Sequence, residues 1–228
     1  MSQKGLTIDT VFSLGSISIS TTVVTTWLII AVLALLSIII SARLKATPGR
    51  IQTVVEGVIS AINDAVQTAA PGHARQIMPF IGSLWIYLVV ANLIGLVPGM
   101  HSPTRDLSAT AALAILVFLS VHWFGIRSQG IKSYLKHYLM PSPILLPFHI
   151  ISEITRTIAL AIRLFGNMMS LEMAAMLILL VAGLFAPIPI LMLHIIEALV
   201  QAYIFGMLAL IYVAGGLQLQ QSRQQKEN

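Results

Sequence analysis

Cysteine is absent from the 228 residues, and aspartate, glutamate, lysine and arginine together make up only 9% of them. The first absence excludes disulfides and thiolate metal ligation, and says little about compartment. The second excludes an ordinary soluble domain, in which about a quarter of residues are charged. Phosphate-binding loops of the GxxxxGK[ST] type, dinucleotide fingerprints and nucleophile elbows are also missing. No nucleotide site and no nucleotide hydrolysis are therefore expected of this chain alone. The histidines lack metal-ligand spacing on one face, so no metal centre is expected either. The opening "MSQKGLTIDTVFSLGSISIS" lacks the basic-then-apolar layout of a cleaved signal peptide. The N-terminus is expected to remain, with the first membrane helix as insertion signal. No internal repeat is visible, which argues against a transporter built from inverted halves.

What is present is apolar sequence: 57% of residues, with a mean hydropathy of +0.91. The expected fold class is an all-α polytopic membrane protein with five crossing helices and one interfacial amphipathic helix. The excess of 13 basic over 8 acidic residues does not point to nucleic acid. The basic residues lie in short segments between apolar runs, which is how membrane orientation is set. One membrane domain spans 1–228. Residues 1–20 are expected as an outer segment and 21–41 as the first span, leaving at Arg43, Lys45 and Arg50 on the cytoplasmic side. In 51–71 the apolar positions recur at helical spacing but Glu56 and Asp64 interrupt them, which suits a helix along the interface. Further spans are expected at 76–97 and 107–126, the second leading into Arg127, Lys132 and Lys136. Two long helices, 143–181 and 190–219, form a hairpin broken by "GLFAPIP" at 183–189. Arg223 and Lys226 place the C-terminus in the cytoplasm, and five crossings put the N-terminus outside. The clear outer loops hold only Lys4 and Arg105 as basic residues, in accord with that orientation.

The polar residues inside the hairpin are the candidates for function. At about 100° per residue, nine residues separate Arg163 from Glu172 by about half a turn, so they face apart and cannot pair. Asn167 and Arg156 share the Arg163 face. On the last helix His194, Glu197 and Gln201 fall at i, i+3 and i+7 and make one polar stripe. Counting outward from Ala186 puts Glu172 and Gln201 at similar depth, so Glu172, His194, Glu197 and Gln201 are expected to line one hydrated path, with Arg163 deeper. A glutamate–histidine contact between helices could also be a plain structural cross-link, the less favoured of the two readings. Arg156, near the cytoplasmic end, is expected to snorkel rather than act in transport. His73, His101, His122, His137 and His149 are expected to be interfacial residues. Arg163 differs from all of these. No acid on its own helix face neutralises it, which implies a partner on another polypeptide.

The segment "RLFGNM" at 163–168, within "IALAIRLFGNMMSLE", resembles subunit a of F-type ATP synthases. So do "ANLIGLVPG" at 91–99, "PTRDLSATAALA" at 103–114 and "LHIIEALVQAYIFGMLALIYV" at 193–213. The resemblance is strongest over 76–216. It implies that Arg163 is the stator arginine facing a ring of c subunits, with Asn167 and Gln201 close to it. It further implies that Glu172 and His194 belong to the half-channel open to the outside, and that Asp106 is the acid preceding the helix after the outer loop. Glu197 adds a carboxylate beside His194. The implied partners are the c-ring, the subunit b peripheral stalk, the remaining F0F1 subunits and the lipid bilayer, with no nucleic acid. The implied cargo is H+ or Na+, with no bound cofactor, in a bacterial inner membrane or else a plastid membrane. Without the motif, a free-standing cation channel or secondary transporter, or a structural membrane anchor, fits the same polar residues.

Overall fold

A backbone that crosses lipid has no water to pair with and must satisfy its own hydrogen bonds, which a helix does within one segment. The computed structural model describes residues 10–14, 17–45, 49–97, 100–131, 146–182 and 188–218. Six helices appear among them: α1 (Thr21–Ala42), α2 (Arg50–Ala69), α3 (Ala74–Leu93), α4 (Leu107–Gln129), α5 (Leu146–Ala182) and α6 (Ile188–Gln218). Five of these, all but α2, are long and apolar enough to cross a membrane. The fold-back at 183–187, Pro98 and Gly99, Pro143, His137, and the basic residues Lys4, Lys132, Lys136, Arg223 and Lys226 lie outside the described residues.

Two local features depart from a reading by helical period. Thr10–Leu14 (β1) and Ile17–Ser20 (β2) pair as an antiparallel hairpin directly before α1. The segments "TVFSL" and "ISIS" supply β-branched residues that favour strands. The second crossing ends as a helix at Leu93 and tightens into a 3₁₀ turn, Ile94–Leu96. Val97 is then extended (φ −79°, ψ 120°), the conformation that a residue preceding proline prefers.

The core sits between α3, α4, α5 and α6, with α2 packed on the flank of α3. Ile77, Ile81 and Leu88 of α3 meet Ala198, Ala202, Phe205 and Leu210 of α6, all fully buried. Lipid tails are as apolar as leucine, so helices associate here by close packing rather than by a hydrophobic gain. Small residues at 198, 202, 206 and 209 of α6 let α3 approach. Gly206 shows how closely: a Cβ there would stand 2.8 Å from Trp85 Cε2 and Nε1. α1 is the loosest element, with Ile29 as its buried residue. On α2, Ile62 and Val66 are buried against the bundle, while Ile51, Val54 and Val58 stay exposed, as suits a helix with one face left for the interface.

Gly206→Ala is expected to lower the thermal stability of the detergent-solubilised protein by about 1–3 kcal/mol through overpacking against Trp85. Gly57→Ala on α2, where a Cβ meets nothing within 4 Å, serves as the control and is expected to be neutral or mildly stabilising. Equal melting temperatures for the two variants would contradict the close approach.

Candidate functional site

The loop between α3 and α4 closes one end of the bundle with a 3₁₀ turn, Pro103–Arg105. A chain of buried hydrogen bonds anchors it. Ser102 Oγ donates to the Ala91 carbonyl at 2.7 Å and lies 2.7 Å from Thr104 Oγ1, which donates to Asn92 Oδ1 at 2.8 Å. Asn92 Nδ2 in turn donates to the Ala198 carbonyl of α6 at 3.1 Å. Every member is removed from water, so each bond has to be made. The turn is thereby tied to both α3 and α6.

From this anchored turn Arg105 reaches across to α5. Its Nη1 lies 2.5 Å from Glu172 Oε1, and His101 Nδ1 lies 3.1 Å from the same oxygen. Glu172 is thus held by the capping loop rather than by the polar stripe of α6. Sequence reading had taken His101 for an interfacial residue and gave Arg105 no role. Both are missed members of the site, separated from Glu172 by 71 and 67 positions in the chain. The available signal was a single one: a basic pair in an otherwise charge-poor outer loop.

The stripe on α6 divides. Gln201, 1% exposed, accepts at Oε1 from Asn167 Nδ2 at 2.6 Å. This corrects the expected level of Gln201, which is that of Asn167 and not of Glu172. Climbing five residues from Asn167 on α5 and four back from Gln201 on α6 brings Glu172 and Glu197 to about the same height, at 1.5 Å per residue. His194 stands beyond them towards the capped end, 7% exposed, with Nε2 beside Gly95. His194 Nε2 and Gln201 Nε2 are both buried and have no hydrogen-bond partner among the described residues. Unpaired buried nitrogens of this kind are costly, and water is what would satisfy them.

Arg163 is exposed, as is its neighbour Ile162 on α5. It forms no ion pair and no side-chain hydrogen bond among the described residues. Asn167, one turn away, turns inward to Gln201 and leaves the guanidinium alone. At the far end, Arg156 lies over the Tyr212 ring at 4.6 Å from its centroid, so it is held by an aromatic face of this chain rather than only snorkelling. His122, expected at the interface, instead meets Glu153.

Asp106 lies outside this chain of contacts and caps α4. It accepts from the Ser108 backbone N–H and hydroxyl at Oδ1 and from the Thr22 hydroxyl at Oδ2, each at 2.9 Å. Burial works to raise its carboxyl, but the Ser108 and Thr22 hydrogen bonds and the neighbouring Arg105 charge outweigh it and hold it below the usual carboxylate value. A depressed carboxyl contributes stability above its ordinary range and loses it as pH falls through the folded value.

A family model described as ATP synthase A chain matches residues 23–214. A relative in Hahella chejuensis, ATP synthase subunit a 1, is 66% identical over 90% of this chain and 87% of its own length. ATP synthase subunit a 2 of Pelobacter propionicus is 61% identical over 95% of each chain. ATP synthase subunit a of Legionella pneumophila is 52% identical over 100% of both.

Arg105→Gln and Glu172→Gln are expected to be coupled by about 1–2 kcal/mol in a double-mutant cycle on thermal stability, the scale of a charge-assisted hydrogen bond. Strictly additive losses would show that the clamp contributes nothing. Asp106→Asn is expected to remove part of the acid-induced loss of melting temperature below about pH 4. An unchanged acid limb would contradict its role as an ionised cap.

Proposed function

Because the chain belongs to the ATP synthase A-chain family, we propose that it is the ion-translocating stator of the F0 sector, passing H+ or Na+ to and from the carboxylates of a c-subunit ring. The observation that carries this reading is Arg163: an exposed permanent cation within a membrane-spanning helix, with no counter-charge among the described residues. A guanidinium left against hydrocarbon is costly, and a carboxylate arriving from another polypeptide removes that cost. The protein is a multi-pass membrane protein and a component of ATP synthase. It supplies no nucleotide chemistry of its own.

A ring carboxylate is neutral and ion-loaded while it faces lipid. Opposite Arg163 the guanidinium favours its ionised form, so the ion leaves by one half-channel and the carboxylate is reloaded from the other. Glu172, His194, Glu197 and Gln201 serve the outer half-channel, and Asn167 with Gln201 sets the wall next to Arg163. Asp106, as the α4 cap, keeps the outer loop in place. Arg163 also blocks a direct leak. A cation passing within 4 Å of it meets about 4 kcal/mol of repulsion at an effective dielectric of about 20. A potential of 100 mV across the whole membrane supplies about 2.3 kcal/mol per charge, so the barrier exceeds the drive. Subunit b and the remaining F0F1 subunits hold the chain as stator. The N-terminus lies outside and the C-terminus in the cytoplasm of a bacterial inner membrane. A free-standing channel or secondary transporter has no need for an exposed arginine within a membrane-spanning helix.

Arg163→Ala or Arg163→Gln is expected to abolish ion-driven ATP synthesis in vesicles carrying the whole complex, and retained synthesis would overturn the assignment. Glu197→Gln is expected to slow synthesis less than Glu172→Gln. Complete loss in both would place Glu197 on an equal footing.

A further inference from the structure

Both partners of Glu172 converge on one of its two oxygens. Arg105 Nη1 stands 2.5 Å from Oε1, and His101 Nδ1 stands 3.1 Å from it. While the carboxylate is ionised its oxygens only accept, so both nitrogens donate. Oε2 meets no donor among the described residues. An arginine–carboxylate tie built for strength is commonly two-pronged, with one N–H to each oxygen. Here one prong is used, and 22% of the Glu172 side chain stays exposed. The second oxygen is left for something that comes and goes.

The backbone behind the guanidinium is fixed. Arg105 ends the 3₁₀ turn that Ser102, Thr104 and Asn92 anchor, and its backbone N–H donates to the Ser102 carbonyl at 3.2 Å. Asp106, next in the chain, is occupied by Ser108 and Thr22. From α6, His194 is buried, and Glu197 is half-buried with no ion pair or hydrogen bond among the described residues. The titratable and charged groups within α4, His122 and Arg127, lie in its second half, away from this end. Arg105 and His101 are therefore the basic groups in contact with Glu172, and Glu197 adds a second carboxyl at about the same height.

We propose that Arg105, helped by His101, sets how tightly Glu172 takes the transported cation, H+ or Na+, by competing with that cation for the carboxylate. The proposal rests on the reading of Glu172 as a station of the half-channel given above, and makes Arg105 a positioning residue of that station. A proton taken from water joins Oε2 and leaves a neutral carboxyl, with no other bond made or broken. A sodium ion is held by the same oxygen and by water. In either case the guanidinium then faces a carboxyl whose charge is already matched, and its attraction weakens. Departure of the cargo restores the pair. The competition keeps Glu172 from retaining an ion that has to move on.

The test uses the whole complex in proteoliposomes carrying Arg105→Gln, Arg105→Lys, His101→Ala, or Arg163→Ala as reference. ATP synthesis is driven at a fixed membrane potential while pH, and separately Na+, is varied on the Glu172 side and then on the opposite side. The ion that moves the wild-type rate is the cargo, and the variants are compared on it. Arg105→Gln is expected to lower the half-saturating cargo concentration on the Glu172 side by about three- to tenfold, the scale of one charged hydrogen-bond partner. A loosened loop would lower the maximal rate without this gain in apparent affinity. Arg105→Lys keeps the charge and is expected to restore most of the wild-type value. The response to the opposite side is expected to stay as in the wild type. An unchanged or raised half-saturating concentration in Arg105→Gln, a lysine variant shifted as far as the glutamine one, or an equal shift on the opposite side overturns the proposal. Synthesis retained in Arg163→Ala overturns the underlying reading as well, whereas its loss beside an unshifted Arg105→Gln overturns the competition alone. Retention of the catalytic sector on the vesicles reports assembly. If Arg105→Gln fails to assemble, His101→Ala decides: a smaller shift in the same direction is expected, and no shift overturns the proposal.

Discussion

A guanidinium that cannot lose its proton stands exposed on a membrane-spanning helix, and the other polar features of the bundle are arranged around that fact. Arg163 has the Glu172 cluster about nine residues towards one end of α5 and the Glu153 cluster ten residues towards the other. Each cluster is closed by histidine from a neighbouring element, His101 in one case and His122 in the other. Neither carboxylate reaches Arg163, which keeps the cation available to a partner and keeps the two clusters electrostatically apart.

The packing serves the same end. Long helices tolerate buried polar groups only where a neighbour satisfies them, and the loop before α4 does this for the capped end. Asn92, Ser102 and Thr104 spend their hydrogen bonds holding the 3₁₀ turn against α3 and α6. That turn presents Arg105 to Glu172. Close approach of α3 to α6, with Gly206 against Trp85, fixes the height of α6 against the rest of the bundle. The height of α6 in turn puts Gln201 beside Asn167 and leaves His194 buried with a nitrogen that meets no partner among the described residues.

Sequence carried some of this well and some of it not at all. The five crossings were legible because a run of apolar residues long enough to span lipid is a one-dimensional signal. The isolation of Arg163 was legible because helix angle is fixed by residue count, and no acid falls on its face. The level of Gln201 was misjudged because counting out from Ala186 assumes two helices leaving a turn symmetrically. Side-chain packing between α3, α5 and α6 decides how far they slide, and no local pattern reports that. The partners of Glu172 and Glu153 come from other elements, so His101 and His122 looked like ordinary interfacial residues and Arg105 like an ordinary outer-loop charge. The hairpin before α1 escaped a reading tuned to helical period, although its alternating β-branched residues were there to be seen.

The central claim is that the Arg163 face of α5 meets the ring carboxylate. The chain has no cysteine of its own, so a single one can be placed at Ile162, an exposed neighbour of Arg163, and another beside the ring carboxylate in the assembled complex. The account predicts a disulfide on oxidation that stops ATP-driven ion pumping, with pumping restored by reductant. It also predicts no such cross-link from a cysteine at Ile38, an exposed residue of α1. Cross-linking through Ile38 and none through Ile162 would contradict it.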